Sequence, residues 1–201
     1  MSDINEKSVE TEETAEKKNK KEKPKKTMKQ EIISWILTLG AAVVIALVIR
    51  TFLFEFIRVD GESMMNTLTN KEIVLMTKPA YLMGKMERGD VVICNYPNRG
   101  RTLFVKRLIA LPGDSIEIIN GVVYVNDEIV DESGIDKMTD GTRFHANYAR
   151  RVLGEDEYFV MGDNRDNSND SRSIGPISRS MIRGHVQRVI LPLTKFGQKV
   201  E

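Results

Sequence analysis

From Ile32 to Ile49 the chain runs eighteen residues without a charge. At about 1.5 Å per residue, a helix of that length covers roughly 27 Å, close to the roughly 30 Å hydrocarbon core of a bilayer. The apolar character continues through Thr51-Phe52-Leu53-Phe54, so the pattern predicts one membrane-spanning helix over residues 32–54. Trp35 at one end, and Phe52, Phe54 and Phe56 at the other, suit the two interfaces. A cleaved secretory leader fits less well. Its apolar region is shorter, about 7–15 residues, and ends at small residues, which Val48-Ile49-Arg50-Thr51-Phe52 does not supply. A buried core helix would carry a polar stripe, and this segment has none.

Beyond residue 55 the period changes. Short runs rich in Val, Ile, Phe and Tyr alternate with Gly, Asn, Asp and Pro, the pattern of strands and turns. Strands are predicted at 57–60, 73–78, 90–96, 102–110, 115–119, 122–125, 158–161 and 186–190. Asn120-Gly121 between two of them is a hairpin signal, because both residues tolerate positive φ. Asn126-Asp127 predicts a second turn with a return over 128–130, and 178–183 reads as a helical turn. Residues 131–156 are polar and read as a variable excursion. The fold class expected is mainly β: a single N-terminal transmembrane helix followed by an antiparallel, barrel-like sheet domain over residues 55–201.

Charge adds an orientation. Net charge is only +1 over 201 residues, which gives no reason to expect a nucleic-acid partner. The local balance is uneven. Residues 1–16 hold six acids against one lysine, and residues 17–29 hold eight lysines against Glu22. With almost no apolar residues, the head 1–31 cannot bury a core and reads as disordered. Lysines flanking a span stay in the cytoplasm, so the head faces in and the β domain faces out. The lone Cys94 rules out an internal disulfide and a cysteine-built metal site, and its apolar run marks it as a core residue. No ligand cluster or phosphate loop calls for a metal or cofactor.

Three segments could carry chemistry. Ser63 lies just past the span, before a stretch able to form a turn that exposes its hydroxyl. A serine is a weak nucleophile without a base. Lys106 is the candidate: in a strand over 102–110 it shares a face with Phe104 and Leu108, and an apolar wall lowers a lysine's pKa. A neutral lysine can take a serine's proton. The bland alternative is an edge-strand lysine that blunts aggregation. Arg107 points to the other face. The third segment, Gly162 to Arg172, is dense in turn formers and charges and follows a clear strand, which favours a site-building loop. Of the two histidines, His145 falls in the excursion and His185 precedes a strand; neither pattern points to a Ser-His-Asp triad.

These segments resemble the signature boxes of the type I signal peptidases, membrane-bound serine proteases that remove signal peptides. Ser63-Met64-Met65-Asn66-Thr67 is similar to a Ser-Met-x-Pro-Thr box, and Arg88-Gly89-Asp90-Val91 to an Arg-Gly-Asp-Val box. Lys106-Arg107 with Pro112-Gly113-Asp114 resembles a third box, and Gly162 to Arg172 with Gly175 a fourth. The resemblance covers roughly residues 30–195. It implies a Gram-positive-like signal peptidase with Ser63 as nucleophile and Lys106 as general base. Ser168 would hydrogen-bond the Lys106 amine. Asp163 with Arg107, and Asp170 with Arg172, would brace the site, and Met64 would pack beside the cleft. The Ser63 N–H would donate to the oxyanion, and Gly61 would lend no hydroxyl there.

It implies no cofactor, secretory preproteins as substrates, and the bilayer and the translocation machinery as further partners. The chain departs from the pattern at Asn66, where the family has proline. Proline would fix φ near −65°, and asparagine is expected to adopt that angle without enforcing it. That departure leaves a second reading, a catalytically weak paralogue that only binds signal peptides or partners. A third, a self-cleaving repressor-type Ser-Lys protease, would need a DNA-binding head that residues 1–31 do not resemble.

Overall fold

The computed structural model describes residues 27–78, 86–97, 99, 100, 102–133, 135 and 147–200. Residues 1–26 of the expected head, His145 and residues 136–146 of the expected excursion lie outside these. The chain divides into two compact units, residues 1–45 and 46–201.

Helix α1 (Met28–Phe52) is the regular structure of the first unit among the described residues, and its last residues, from Ala46, belong to the second. Its Met28–Ile49 stretch is the one helix among the described residues long and apolar enough to cross a membrane. Large apolar side chains stand exposed around it, Trp35, Ile36, Leu39 and Val44 among them. Lipid accepts such a surface and water does not. The helix starts earlier than the span read from sequence, because Lys29, Gln30 and Glu31 are helix formers that extend it into polar residues. It also stops earlier: Phe54 already pairs with Thr77 in the sheet.

The second unit is built from strands β1 (Phe54–Arg58), β2 (Ile73–Thr77), β3 (Val91–Asn95), β4 (Leu103–Ala110), β5 (Ser115–Ile119), β6 (Val122–Val125), β7 (Glu128–Ile129), β8 (Tyr148–Val152), β9 (Glu157–Met161), β10 (Ile177–Ser178) and β11 (Ile182–Leu191). One short helix, α2 (Ser171–Ile174), sits between β9 and β10. All named pairings are antiparallel. They form a seven-stranded sheet in the order β1-β2-β11-β3-β4-β9-β10 and a four-stranded sheet in the order β7-β6-β5-β8. The mainly β, antiparallel class expected from sequence is the class observed.

The hairpin at Asn120-Gly121 closes with both residues at positive φ, 49° and 82°. Several elements differ from the sequence reading: β1 begins at Phe54 and not at 57, and α2, β8 and β10 have no counterpart in it. β8 lies inside the stretch read as irregular; it pairs with β5, and its Arg150 and Arg151 are exposed, so no apolar alternation announced it. The helical turn expected at 178–183 is a 3₁₀ turn, Arg179–Met181, and Ile182 already begins the ten-residue β11. Three apolar clusters fill the domain. One packs Val59, Met64 and Leu68 under β2, β3 and β11, and another packs Val92, Cys94 and Leu108 with Val160 and Ile177. The first pins the turn that carries Ser63, and the second walls Lys106.

Candidate active site

The turn after β1 is fixed from within and from below. Met65 N–H donates to Glu62 O (3.0 Å), and Leu68 N–H to Met64 O (2.8 Å). Met64 and Leu68 are 1% and 0% exposed, so the turn is pegged into the core on either side of its tip, and Ser63 is left half-buried above. Gly61 takes φ 114°, a conformation glycine accepts and other residues resist. Asn66 takes φ 76°. This corrects the sequence expectation: the position is left-handed, which asparagine tolerates and proline, locked near −65°, cannot adopt.

Lys106 comes from the middle of β4, directly opposite Val92 of β3. It is 1% exposed. Its Nζ donates to Ser63 Oγ at 2.5 Å. Burial pulls its pKa down to about 8, against the opposing charge of Asp170.

Arg107, the next residue, turns to the opposite side of the strand. Its Nε and Nη2 hold both oxygens of Asp163 at 2.9 and 2.7 Å, and its Nη1 donates to Gly89 O at 2.7 Å. Asp163 is fully buried, and it also accepts from Thr67 Oγ1 at 2.5 Å. The carboxylate therefore ties the Ser63 turn to β4. Arg172 grips Asp170 in the same two-pronged way, Nε and Nη2 each at 2.8 Å. Burial pushes the Asp170 carboxyl up, but Arg172 and the Gly162 N–H outweigh that and hold it below the usual carboxylate range.

The structure brings Ser63, Lys106, Gly61 and Met64 to one place and sets the two ion pairs around them. Ser168 differs from expectation. Its Oγ is buried and reaches hydrogen-bonding geometry with no described group. The Lys106 amine turns to Ser63 instead. His185 lies elsewhere, between Gln187 (2.8 Å) and Asp90 (3.4 Å). Cys94 is a core residue whose thiol burial pushes up to about 12.

Three residues escaped sequence reasoning although each sits inside a quoted segment. Thr67 shares Asp163 with Arg107. Gly162 lies so close to the Ser63 turn that a Cβ there would stand 2.4 Å from Ser63 O and 2.3 Å from Ser168 Oγ. Asn164 bonds the carbonyls on both sides of the Ser63 N–Cα–C unit, through its side chain to Glu62 O and its backbone N–H to Ser63 O.

A groove of about 400 Å³ opens beside Ser63, lined by Ile57–Gly61, Met64 and Thr102–Val105. β9 pairs with β4 only from Arg107 to Ala110, and β1 is an edge strand. The groove thus runs between two strand segments with backbone to spare.

The profile of one known family, described as signal peptidase, peptidase S26, matches residues 32–191. The chain belongs to that family. Signal peptidase I P of Bacillus subtilis subsp. natto is 39% identical over 86% of this chain and 96% of its own length. Signal peptidase I S of Bacillus subtilis strain 168 is 36% identical over 84% of this chain and 94% of its own. Signal peptidase IB of Staphylococcus aureus strain COL is 34% identical, again over 84% and 94%. A crystal structure of a signal peptidase I from Enterococcus faecalis V583 aligns with 51% of this chain and 97% of that one, at 25% identity and a TM-score of 0.42. All four boxes and the groove fall within the matched residues of this signal peptidase family member.

Proposed function

We propose that this protein is a membrane-anchored serine endopeptidase that removes N-terminal signal peptides from secreted preproteins, with Ser63 as nucleophile and Lys106 as general base. The observation that carries this reading is the 2.5 Å contact between Lys106 Nζ and Ser63 Oγ. Family membership supports the peptidase activity and its substrate class.

An extended preprotein segment lies in the groove and pairs with the free backbone of β1 and of Leu103–Val105. The neutral Lys106 amine takes the Ser63 hydroxyl proton as Oγ attacks the scissile carbonyl. The Ser63 N–H donates to the oxyanion. Lys106 then gives the proton to the departing amine, the C–N bond breaks, and an acyl-enzyme remains. Water, deprotonated by Lys106, releases the signal peptide's new carboxylate and regenerates Ser63. Ser168, whose buried Oγ has no partner among the described residues, orients the Lys106 amine, and the Asp163–Arg107 and Asp170–Arg172 pairs brace the site.

α1 anchors the domain in the cell membrane, with the lysine-rich head in the cytoplasm and residues 55–201 outside. Tethering at the surface where preproteins and the translocation machinery meet raises effective concentration without new contacts. The binding-module reading rested on Asn66. With Asn66 seated in a left-handed turn and Ser63 in contact with Lys106, no feature of the site favours it. The deciding experiment is cleavage of a preprotein by the full chain in detergent micelles. Ser63→Ala and Lys106→Ala are each expected to lose roughly a thousandfold or more in kcat. Wild-type turnover in either variant overturns the reading.

A further inference from the structure

The mechanism above gives the oxyanion one protein donor, the Ser63 N–H, because Gly61 carries no hydroxyl. A single donor is only as good as its aim, and the aim is set by the plane of the Glu62–Ser63 peptide. In a trans peptide the N–H and C=O point in opposite directions. Whatever holds Glu62 O therefore fixes where Ser63 N–H points.

Two donors hold Glu62 O. Met65 N–H belongs to the same turn and moves with it (3.0 Å). Asn164 Nδ2 comes from the loop after β9, 102 residues away (3.1 Å). Only the Nδ2 end of the amide can serve, since a carbonyl oxygen accepts and never donates. Asn164 also holds the following peptide: its backbone N–H donates to Ser63 O at 3.0 Å. One residue thus clamps both peptide planes flanking the nucleophile. Ser63 N–H itself donates to no group among the described residues. The groove is lined by Ser63 and by no residue of the 162–170 loop.

We infer that Asn164 is a positioning residue that aims the Ser63 N–H at the oxyanion, acting through the Glu62 carbonyl. This rests on the Ser63–Lys106 reading and deepens it. Asn164 touches neither substrate nor base, so it leaves ground-state binding and proton transfer alone and acts where negative charge develops.

The test uses Asn164→Leu, which keeps the bulk, and Asn164→Ala, both in the full chain. Both keep the backbone bond to Ser63 O and remove only the side-chain tie. Turnover is normalised to active sites counted by acyl-enzyme burst, so that misfolded protein does not enter. The expected result is a fall in kcat of about 10- to 100-fold with KM within about twofold. The pH-rate midpoint set by Lys106 should stay in place. Affinity for a peptide boronate, whose tetrahedral adduct on Ser63 carries the oxyanion, should fall in parallel with kcat/KM. Wild-type kcat in Asn164→Leu overturns the inference, as does a loss of kcat with unchanged boronate affinity. Activity surviving in Ser63→Ala would instead sink the Ser-Lys reading itself, so the two failures can be told apart.

Discussion

Lys106 Nζ and Ser63 Oγ meet at 2.5 Å although 43 residues separate them in sequence. The contact joins a pegged turn to the centre of a sheet, so neither group can drift from the other without breaking packing. Burial pulls the amine down to about 8. At pH 7 roughly one molecule in ten then carries the free base, against about one in three thousand for an ordinary lysine.

The pH dependence follows directly. Below about pH 8, kcat/KM should rise about tenfold per pH unit, and it should level off above that pH. A pH-rate profile with a preprotein substrate checks this. A midpoint near 6.5 would point to a histidine instead of Lys106.

Stability should move oppositely to activity when the lysine is removed. The native state disfavours the charged amine, so its cost is fully present below the folded pKa of about 8 and fades as pH rises toward the unfolded value of 10.5. That difference corresponds to about 3 kcal/mol. Lys106→Met should therefore be inactive yet at least as stable as wild type at pH 7, with the advantage shrinking above pH 8. Urea unfolding at pH 6 and pH 10 measures it, and destabilisation at pH 6 would contradict it.

Asn66 should tolerate glycine and reject proline. Asn66→Gly keeps the φ of 76° within easy reach and should leave turnover within about threefold of wild type. Asn66→Pro cannot take that angle and should reduce kcat at least about tenfold or unfold the turn. The family pattern alone predicts the reverse. A proline variant faster than wild type would show that the turn can be rebuilt around another geometry.

Gly162→Ala should be among the most damaging single-methyl changes in the domain. The added carbon would stand 2.4 Å from Ser63 O, a backbone atom with no freedom to yield. Loss of activity with retained far-UV circular dichroism is the expected outcome.

Asp163→Ala should lower stability by roughly 3–5 kcal/mol, because it leaves Arg107 buried without its carboxylate. Thermal unfolding of the variant checks this, and a loss under 1 kcal/mol would show that Arg107 finds another acceptor.

Much of this was legible in the sequence, for identifiable reasons. Helix α1 announces itself by a long apolar run without a charge, and strands such as 115–119 and 122–125 because burial imposes a period. β8 does not, because its exposed arginines carry no burial pattern. Ser63 and Lys106 could be named from their segments, and the apolar neighbours of Lys106 explained its lowered pKa in advance. The sign of φ at Asn66 could not, since asparagine is at home on both sides of zero. Nor could the clamp by Asn164, because bonds to backbone carbonyls leave no mark on the partner's identity.

Lys106 and Arg107 are neighbours on β4, and alternation alone decides which of them meets Ser63 and which meets Asp163. A slip of one residue would exchange a titrating amine for a permanent cation, and would deprive Ser63 of its proposed base while leaving a basic group beside it. The strand's parity is therefore itself a checkpoint: a chain that pairs β4 out of register assembles a protease that cannot cut.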